Sequence, residues 1–530
     1  MRKLYFGGPI LTMDKENKTA EAVLTENGKI IAVGNYSDLK CDAEKIDLKG
    51  KTLMPGFVDG HSHMLIVGRD IVSTCSLFGC TGFEDMLERI RNFRNERKLF
   101  NGEPIFCNGY DLAIMAEGEH PTAAVLDTLG FDNPICCTHQ SGHVAAYNTV
   151  AMEKAGVLKD DYVCPEDGFA GRDENGRLNG YFEESAKAPF TNMFNKGFDA
   201  AMMEKAILAS QDFYASHGFT TVQEGSANLK ERLEVFEKLA KENKLKLDTV
   251  FYMAAGPENT AYWEDTISRL GKDYNNRLKI GGVKMFLDGS PQARTAWLLE
   301  PYEGESEYRG YPMFTDEQVE ERLSLALKHN LQPLAHCNGD AACEQYANAW
   351  AKVTKGLDEI PNLRPVMIHA QTVHYEHLDL MKKTKMMPSF FIGHCYFWGD
   401  THIKNLGERA YRISPAKTAL DKGIIFSFHQ DSPITEPDML FSVWCAVNRI
   451  TRNGVIIGKE NRLDVYDALI AATSGGAYTY FEEDTKGILK AGANADFVVL
   501  DKDPTQVDPM TIKDIKVLQT IKDDNIIFEA

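Results

Sequence analysis

The sequence predicts an α/β protein: a closed (β/α)8 TIM barrel, with a small β-sandwich domain assembled from both chain ends. Three observations carry that expectation. From residue 56 to residue 433 eight short apolar runs recur, each ending in polar residues: GFVDGHSH, GFTTVQEGS, KLDTVFYMAAG, GGVKMFLDGS, LQPLAHCNGD, RPVMIHAQTV, KMMPSFFIGH and IIFSFHQDSP. Helical patterns such as AMMEKAILASQDFYASHG and DEQVEERLSLALKHN lie between them. Strand and helix in alternation imply a parallel sheet, and eight units suggest closure into a barrel. The termini have a different texture, with short strands and turns in KLYFGGPILTMD and AVLTENGKIIAVG at one end and NADFVVLD and IKDDNIIFEA at the other.

Taken in order, residues 1–54 read as a β unit, with ENGK as the turn of a hairpin. Residues 480–530 complete the same composite domain. Residues 55–479 form the barrel. Within them, 65–205 are too long for a connection and carry their own strand-like runs, EPIFCNGYD and NPICCTHQSGHVAAYN. They read as an inserted subdomain, and because they follow the first strand they are expected over the C-terminal mouth of the barrel.

Composition narrows the function. A chain of 530 residues exceeds one ordinary domain, and 43% hydrophobic with 25% charged residues is the balance of a soluble globular protein. A net charge of −19 argues against nucleic acid or an anionic membrane as partner, since no excess of Lys and Arg meets the phosphates. No signal-peptide pattern and no run of ~18 apolar residues is present, so a cytoplasmic protein acting on a small molecule is expected, its oligomeric state open. The 11 cysteines are scattered without a C-x-x-C pair and read as buried thiols.

The chemistry collects at the strand ends. His61 and His63 in GFVDGHSHM, if on a strand, project to one side roughly 6–7 Å apart, close enough to converge on one metal ion. Alone, such a pair is equally consistent with hydrogen-bonded core histidines. Lys284, His336, His369 and Asp431 end or occupy four other strand-like runs. A lysine inside an apolar strand stands out, because an unpaired buried ammonium is costly and burial favours the neutral amine. A neutral amine can add carbon dioxide and become a carbamate, an oxygen ligand able to bridge two cations.

The ordered set PGFVDGHSH, VKMFLDGS, LAHCNGDAA, IHAQ and QDSPI resembles the amidohydrolase superfamily. Within it, VKMFLDGSPQARTAWLLEPY, SGHVAAYN, FWGD and KGILKAGANADFVVLDKDP resemble the YtcJ-like branch, which includes N-substituted formamide deformylases. The resemblance implies a metal-bearing barrel with a composite β domain. It implies that His61 and His63 bind metal at the end of the first strand, His336 and His369 on the fifth and sixth. Lys284 on the fourth would be a carboxylated bridge where two metals bind, and Asp431 on the eighth would contact metal and handle the proton. The cofactor is then one or two divalent ions per chain, with zinc favoured by the nitrogen and carboxylate donors. The implied reaction is hydrolysis of a carbon–nitrogen bond other than a peptide bond. The alternatives are a regulatory relative without turnover and a metal-dependent isomerase or lyase on the same scaffold.

Two departures from the branch pattern stand out. His429 and Gln430 precede Asp431 where a Ser-Asp pair is usual, and Gln223 and Glu224 replace a common His-Asp pair. The substrate-facing candidates are His143, Asp288, His394 and Trp398. His143 and Asn148 are expected at the pocket, with a loop-tying role as the alternative. Asp288 and Asp340 sit in Gly-flanked loops that equally suit a turn role. His394 is surrounded in sequence by Phe391, Tyr396, Phe397 and Trp398, either an apolar wall or core.

Overall fold

The computed structural model describes every residue except 101, 113, 143, 160–161, 166–167, 196–197 and 228–229. The chain forms two compact units. One joins Met1–Met64 to Ser210–Ala530, and the other is Leu65–Ala209.

The larger unit is organised around an eight-stranded parallel sheet. Its strands are β1 (Phe57–Val58), β2 (Phe219–Ala227), β3 (Asp248–Ala254), β4 (Leu278–Phe286), β5 (Gln332–Cys337), β6 (Val366–His369), β7 (Met387–Phe390) and β8 (Ser427–Phe428). They neighbour one another in chain order, and every expected apolar run supplies one of them. Near-continuous burial along β3, β6 and β7 explains their unbroken apolar character, since a parallel sheet is covered on both faces. The sheet curls until its ends meet: the Gly60 N–H, just past β1, donates to Phe428 O of β8 at 3.2 Å. Glycine is required at this seam, because a Cβ on residue 60 would fall 2.6 Å from that carbonyl oxygen.

A second sheet in the same unit is built from both chain ends. Strands Arg2–Leu11, Thr19–Glu26, Lys29–Gly34 and Thr52–Pro55 join Phe497–Leu500, Val517–Lys522 and Asn525–Glu529, with Glu44–Asp47 beside the first. The halves are stitched by antiparallel pairing of Thr52–Pro55 with Phe497–Leu500. Tyr5, Ile10, Val23, Leu53, Phe497 and Ile521 fill its core.

A buried ion network lies at the N-terminal end of β3. Lys486 Nζ contacts Asp248 at 2.6 Å and Glu482 at 2.7 Å, and Lys522 Nζ contacts Asp248 at 2.8 Å and Asp496 at 2.7 Å.

The smaller unit is a six-stranded mixed sheet with the helix Phe83–Arg97 packed on it. Cys75, Cys107 and Cys137 align across three of its strands and are buried. All eleven cysteines are free thiols. Among the described residues no helix is long and apolar enough to cross a membrane.

Candidate metal centre

β1 stops at Val58, so His61 and His63 lie in a turn beyond the strand and strand alternation is not what aligns them. Asp59 shapes that turn. Its buried carboxylate accepts the His61 N–H at 3.1 Å, the Gln223 N–H at 3.3 Å and the Ser62 hydroxyl. Burial pushes its pKa up to about 6 despite those bonds. The His63 N–H donates to Ser432 O at 2.9 Å. The two imidazole centroids end 5.0 Å apart.

Asp431, three residues past β8, comes to the same point. Its Oδ1 lies 3.4 Å from His61 Nε2 and 3.3 Å from His63 Nε2, and the three donor atoms lie within 4.8 Å of one another. Asp431 has φ +53° and His369, the last residue of β6, has φ +70°. Such left-handed backbone is unfavourable for residues with a Cβ and tends to mark functional positions.

Lys284 Nζ, from β4, lies 2.8 Å from His61 Nε2 and 5.0 Å from the Phe286 ring centroid. Lys284 and Phe286 thus share a face, as alternation along β4 requires. Burial pushes Lys284 down to about 7, with Asp431 the main opposing influence. His336 of β5 completes the cluster, its Nδ1 3.0 Å from His369 Nε2. His369 Nε2 is 3.9 Å from Asp431 Oδ2. Burial drives His61 and His369 well below the usual imidazole range, so both are neutral and able to donate a lone pair. For Asp431, burial raises the pKa, but His63, His429 and Lys284 outweigh it and hold the carboxyl below its ordinary range.

Partners behind the cluster fix which nitrogens face it. Gln223 Nε2 donates to Gly60 O at 3.2 Å and to the Tyr480 hydroxyl at 2.9 Å. Its Oε1 is left to accept from His61 Nδ1–H, which turns a bare Nε2 toward Asp431. His336 Nε2 lies 2.9 Å from Gly289 O, a carbonyl that can only accept. Asn338 Nδ2 lies 3.1 Å from the same nitrogen, and it is Nδ1 that faces His369.

These residues fit a divalent cation. Asp431 Oδ1 and His63 Nδ1 are buried without a hydrogen-bond partner. Buried polar atoms are normally satisfied, and Asp431 Oδ1 stands where two imidazole nitrogens also converge.

Other expected residues fall elsewhere. Asp288 accepts backbone N–H groups of Trp297 at 3.0 Å, Asn338 at 2.9 Å and Gly339 at 2.6 Å. It anchors loops, though its Oδ1 also lies 3.5 Å from His336 Nε2. Asp340 likewise accepts the Leu299 N–H at 2.8 Å. Asn148, expected at the pocket, instead caps the helix Thr149–Ala155, and both ends of its side-chain amide bond backbone. His143 lies outside the described residues. His394 is buried, Nδ1 to Nε2 against His402 at 3.1 Å, with its ring against Phe391 and Trp398. Tyr396 and Phe397 pack on Phe441.

Gln223 and His429 stand out in the sequence only as departures from a pattern. In the structure both touch histidines of the cluster. His429 Nε2 is 3.1 Å from His369 Nδ1.

Comparison with known proteins agrees with this geometry. The model of the amidohydrolase family matches residues 44–528. YtcJ of Bacillus subtilis (strain 168), placed by its name among amidohydrolases, is 26% identical over 547 residues and covers all of both chains. N-substituted formamide deformylase of Arthrobacter pascens is 23% identical over 98% of this chain and 97% of its own. A crystal structure from Pyrococcus horikoshii OT3, described as an uncharacterized metal-dependent hydrolase, superposes with a TM-score of 0.77. It is 26% identical, over 96% of this chain and 99% of that one.

Proposed function

The chain belongs to the amidohydrolase family, and from that premise we propose that it hydrolyses a non-peptide carbon–nitrogen bond of a small molecule, with an amide, N-formyl or cyclic amide as substrate. The observation that carries the reading is the convergence of His61 Nε2, His63 Nε2 and Asp431 Oδ1 on one buried point. The curled sheet is read as a (β/α)8 barrel, with the site at the C-terminal ends of its strands.

His61, His63 and Asp431 would hold the cation, with His336 and His369 as further ligands. Zinc suits these nitrogen and carboxylate donors. When bound, such an ion acidifies water and polarises a carbonyl. Asp431 takes the proton of the attacking water on a carboxylate oxygen and returns it to the departing nitrogen. Its lowered pKa keeps it ionised and ready to accept. Lys284 has two roles open to it. As a neutral amine it would add carbon dioxide and release a proton, and the resulting carbamate would offer oxygen ligands to a cation. Unmodified, it binds an anionic group of the substrate. Similarity to a formamide deformylase supports N-formyl amines as the first class to try.

The test is a panel of amides and N-formyl amines incubated with zinc-loaded protein, with amine release as readout. Turnover of at least one member is expected. Metal-loaded protein that releases no amine from any of them, yet interconverts or eliminates a related compound, overturns the hydrolase reading in favour of an isomerase or lyase.

A further inference from the structure

We infer that Arg449 is a positioning residue: acting through Ser414 and Gln371, it fixes the turn that presents His369 to the cation. The inference rests on the reading above, in which His369 is a ligand.

Arg449 ends the helix Met439–Asn448 and is fully buried. A buried guanidinium is costly unless its N–H groups are satisfied. Arg449 has no carboxylate partner among the described residues and directs its donors at backbone carbonyls instead. Nε donates to Ile457 O at 2.7 Å, Nη1 to Ser414 O at 3.0 Å and Nη2 to Ile413 O at 2.6 Å. One side chain thus clamps residues 413–414 against residue 457. Ser414 in turn holds Gln371 twice. Its N–H donates to Gln371 O at 2.8 Å, and its Oγ accepts from Gln371 Nε2 at 2.7 Å. Gln371 lies two residues past His369, and both Gln371 and Ser414 are fully buried.

Backbone conformation shows what the clamp holds. His369 (φ +70°), Ala370 (φ +46°), Ser414 (φ +46°) and Arg449 (φ +50°) are all left-handed. Each carries a Cβ, so the conformation is unfavourable at each and persists only where the surroundings over-determine it. These four residues lie along one path, with the ligand at one end and the guanidinium at the other. Released from it, the turn after β6 would relax toward ordinary backbone. That would carry the His369 imidazole away from Asp431 Oδ2 at 3.9 Å and His336 Nδ1 at 3.0 Å. Asn338 O gives the turn a second hold, accepting the Thr372 N–H at 3.0 Å and the Thr372 hydroxyl at 2.8 Å. Loss of Arg449 therefore loosens the turn without freeing it. Lysine is a poor substitute, because an ammonium lacks the planar fork that reaches three carbonyls on two segments.

An arginine that only supports the fold predicts something else, and zinc affinity separates the two. Arg449→Met is expected to weaken zinc binding by about 10–100-fold in a chelator competition, the range for a lost supporting partner of a ligand. Arg449→Lys is expected to recover only part of it. Millimolar guanidinium ion, which can refill the site vacated in Arg449→Ala, is expected to restore zinc affinity there. Lys486→Met, which destabilises the protein at the other end of the sheet, is expected to bind zinc as the unaltered protein does. Zinc held by Arg449→Met as tightly as by the unaltered protein, or equal weakening in Lys486→Met, overturns the inference. If Arg449→Met does not fold, Gln371→Leu decides, since it cuts the side-chain half of the link and leaves Arg449 in place: weakened zinc binding supports the inference, unaltered binding overturns it. Zinc retained in full by His369→Ala would sink the reading of His369 as a ligand. Zinc lost there but held by Arg449→Met would sink only the role of Arg449.

Discussion

Two ends of the curled sheet each bury lysine, and they do it in opposite ways. At the N-terminal end Lys486 and Lys522 each contact two carboxylates within 2.8 Å. At the C-terminal end Lys284 forms no ion pair among the described residues and faces an imidazole nitrogen and a phenyl ring. Burial pushes all three pKa values down. Asp248 and Glu482 overcome it at Lys486, Asp496 and Asp248 overcome it at Lys522, and nothing comparable does at Lys284, which falls to about 7. The paired lysines are locked as ammonium ions in a structural network, whereas Lys284 is poised as an amine, the state that reacts or binds.

The sharpest way to break that contrast is to empty the functional end. His61→Ala with His63→Ala should remove most bound metal by elemental analysis and, with it, activity. Full occupancy in that variant would exclude the assignment. Asp431→Asn should keep the fold and lower kcat by at least ~10²-fold, the scale of lost general acid–base help. A variant with unaltered kcat and pH profile would move the proton-handling role elsewhere.

Exchanging each lysine for methionine tests the comparison directly. Lys486→Met leaves Asp248 with Lys522 and Glu482 with Lys279, but breaks a buried network and should cost about 1–3 kcal/mol of unfolding free energy. Lys284→Met removes an unpaired buried amine and should cost little stability, while activity is lost. Equal destabilisation in denaturant titrations would erase the distinction between the two ends.

The smallest effect is in pH. Burial alone would raise Asp248, but Lys486 and Lys522 hold it well below the usual carboxylate range. Its contribution to stability is present above the unfolded pKa of ~3.9 and lost as pH falls through the folded value. Lys486 is raised, so its contribution is present below ~10.4 and lost as pH rises through its folded value. Thermal midpoints of Lys486→Met should therefore fall furthest below those of the unaltered protein between these limits, with the gap narrowing toward both extremes. A gap independent of pH would mean the network is not titrating as a unit.

Much of this was legible in the chain. The eight runs were visible because a parallel strand buried on both faces is a compact apolar block. His61, His63, Lys284, His336, His369 and Asp431 stand out because each closes or occupies such a block, and the structure brings them within hydrogen-bonding or ion-pair distance of one another. The local shape around His61 was not legible: β1 is only two residues long, and a turn held by Asp59 takes over. The supporting partners were not legible either. His429 meets Ser389 forty positions away and His369 sixty positions away, and no spacing rule encodes either contact. Asn148 read as a pocket residue because a capping asparagine and a ligand-facing one look alike in sequence.

The seam between Gly60 and Phe428 also has a consequence for how the molecule is made. One side of the candidate metal centre emerges from the ribosome at residue 63 and the other only at residue 431. At ordinary synthesis rates of about 5–20 residues per second, roughly 20–70 s separate the two. Throughout that interval the strand Thr52–Pro55 also waits for Phe497–Leu500, the partner it pairs with. An early strand held open so long is a site for wrong pairing, and closure of the sheet depends on contacts of very high sequence separation. The nascent chain therefore carries His61 and His63 before any complete site exists, and a cation can be retained by the full set only after the curl has closed.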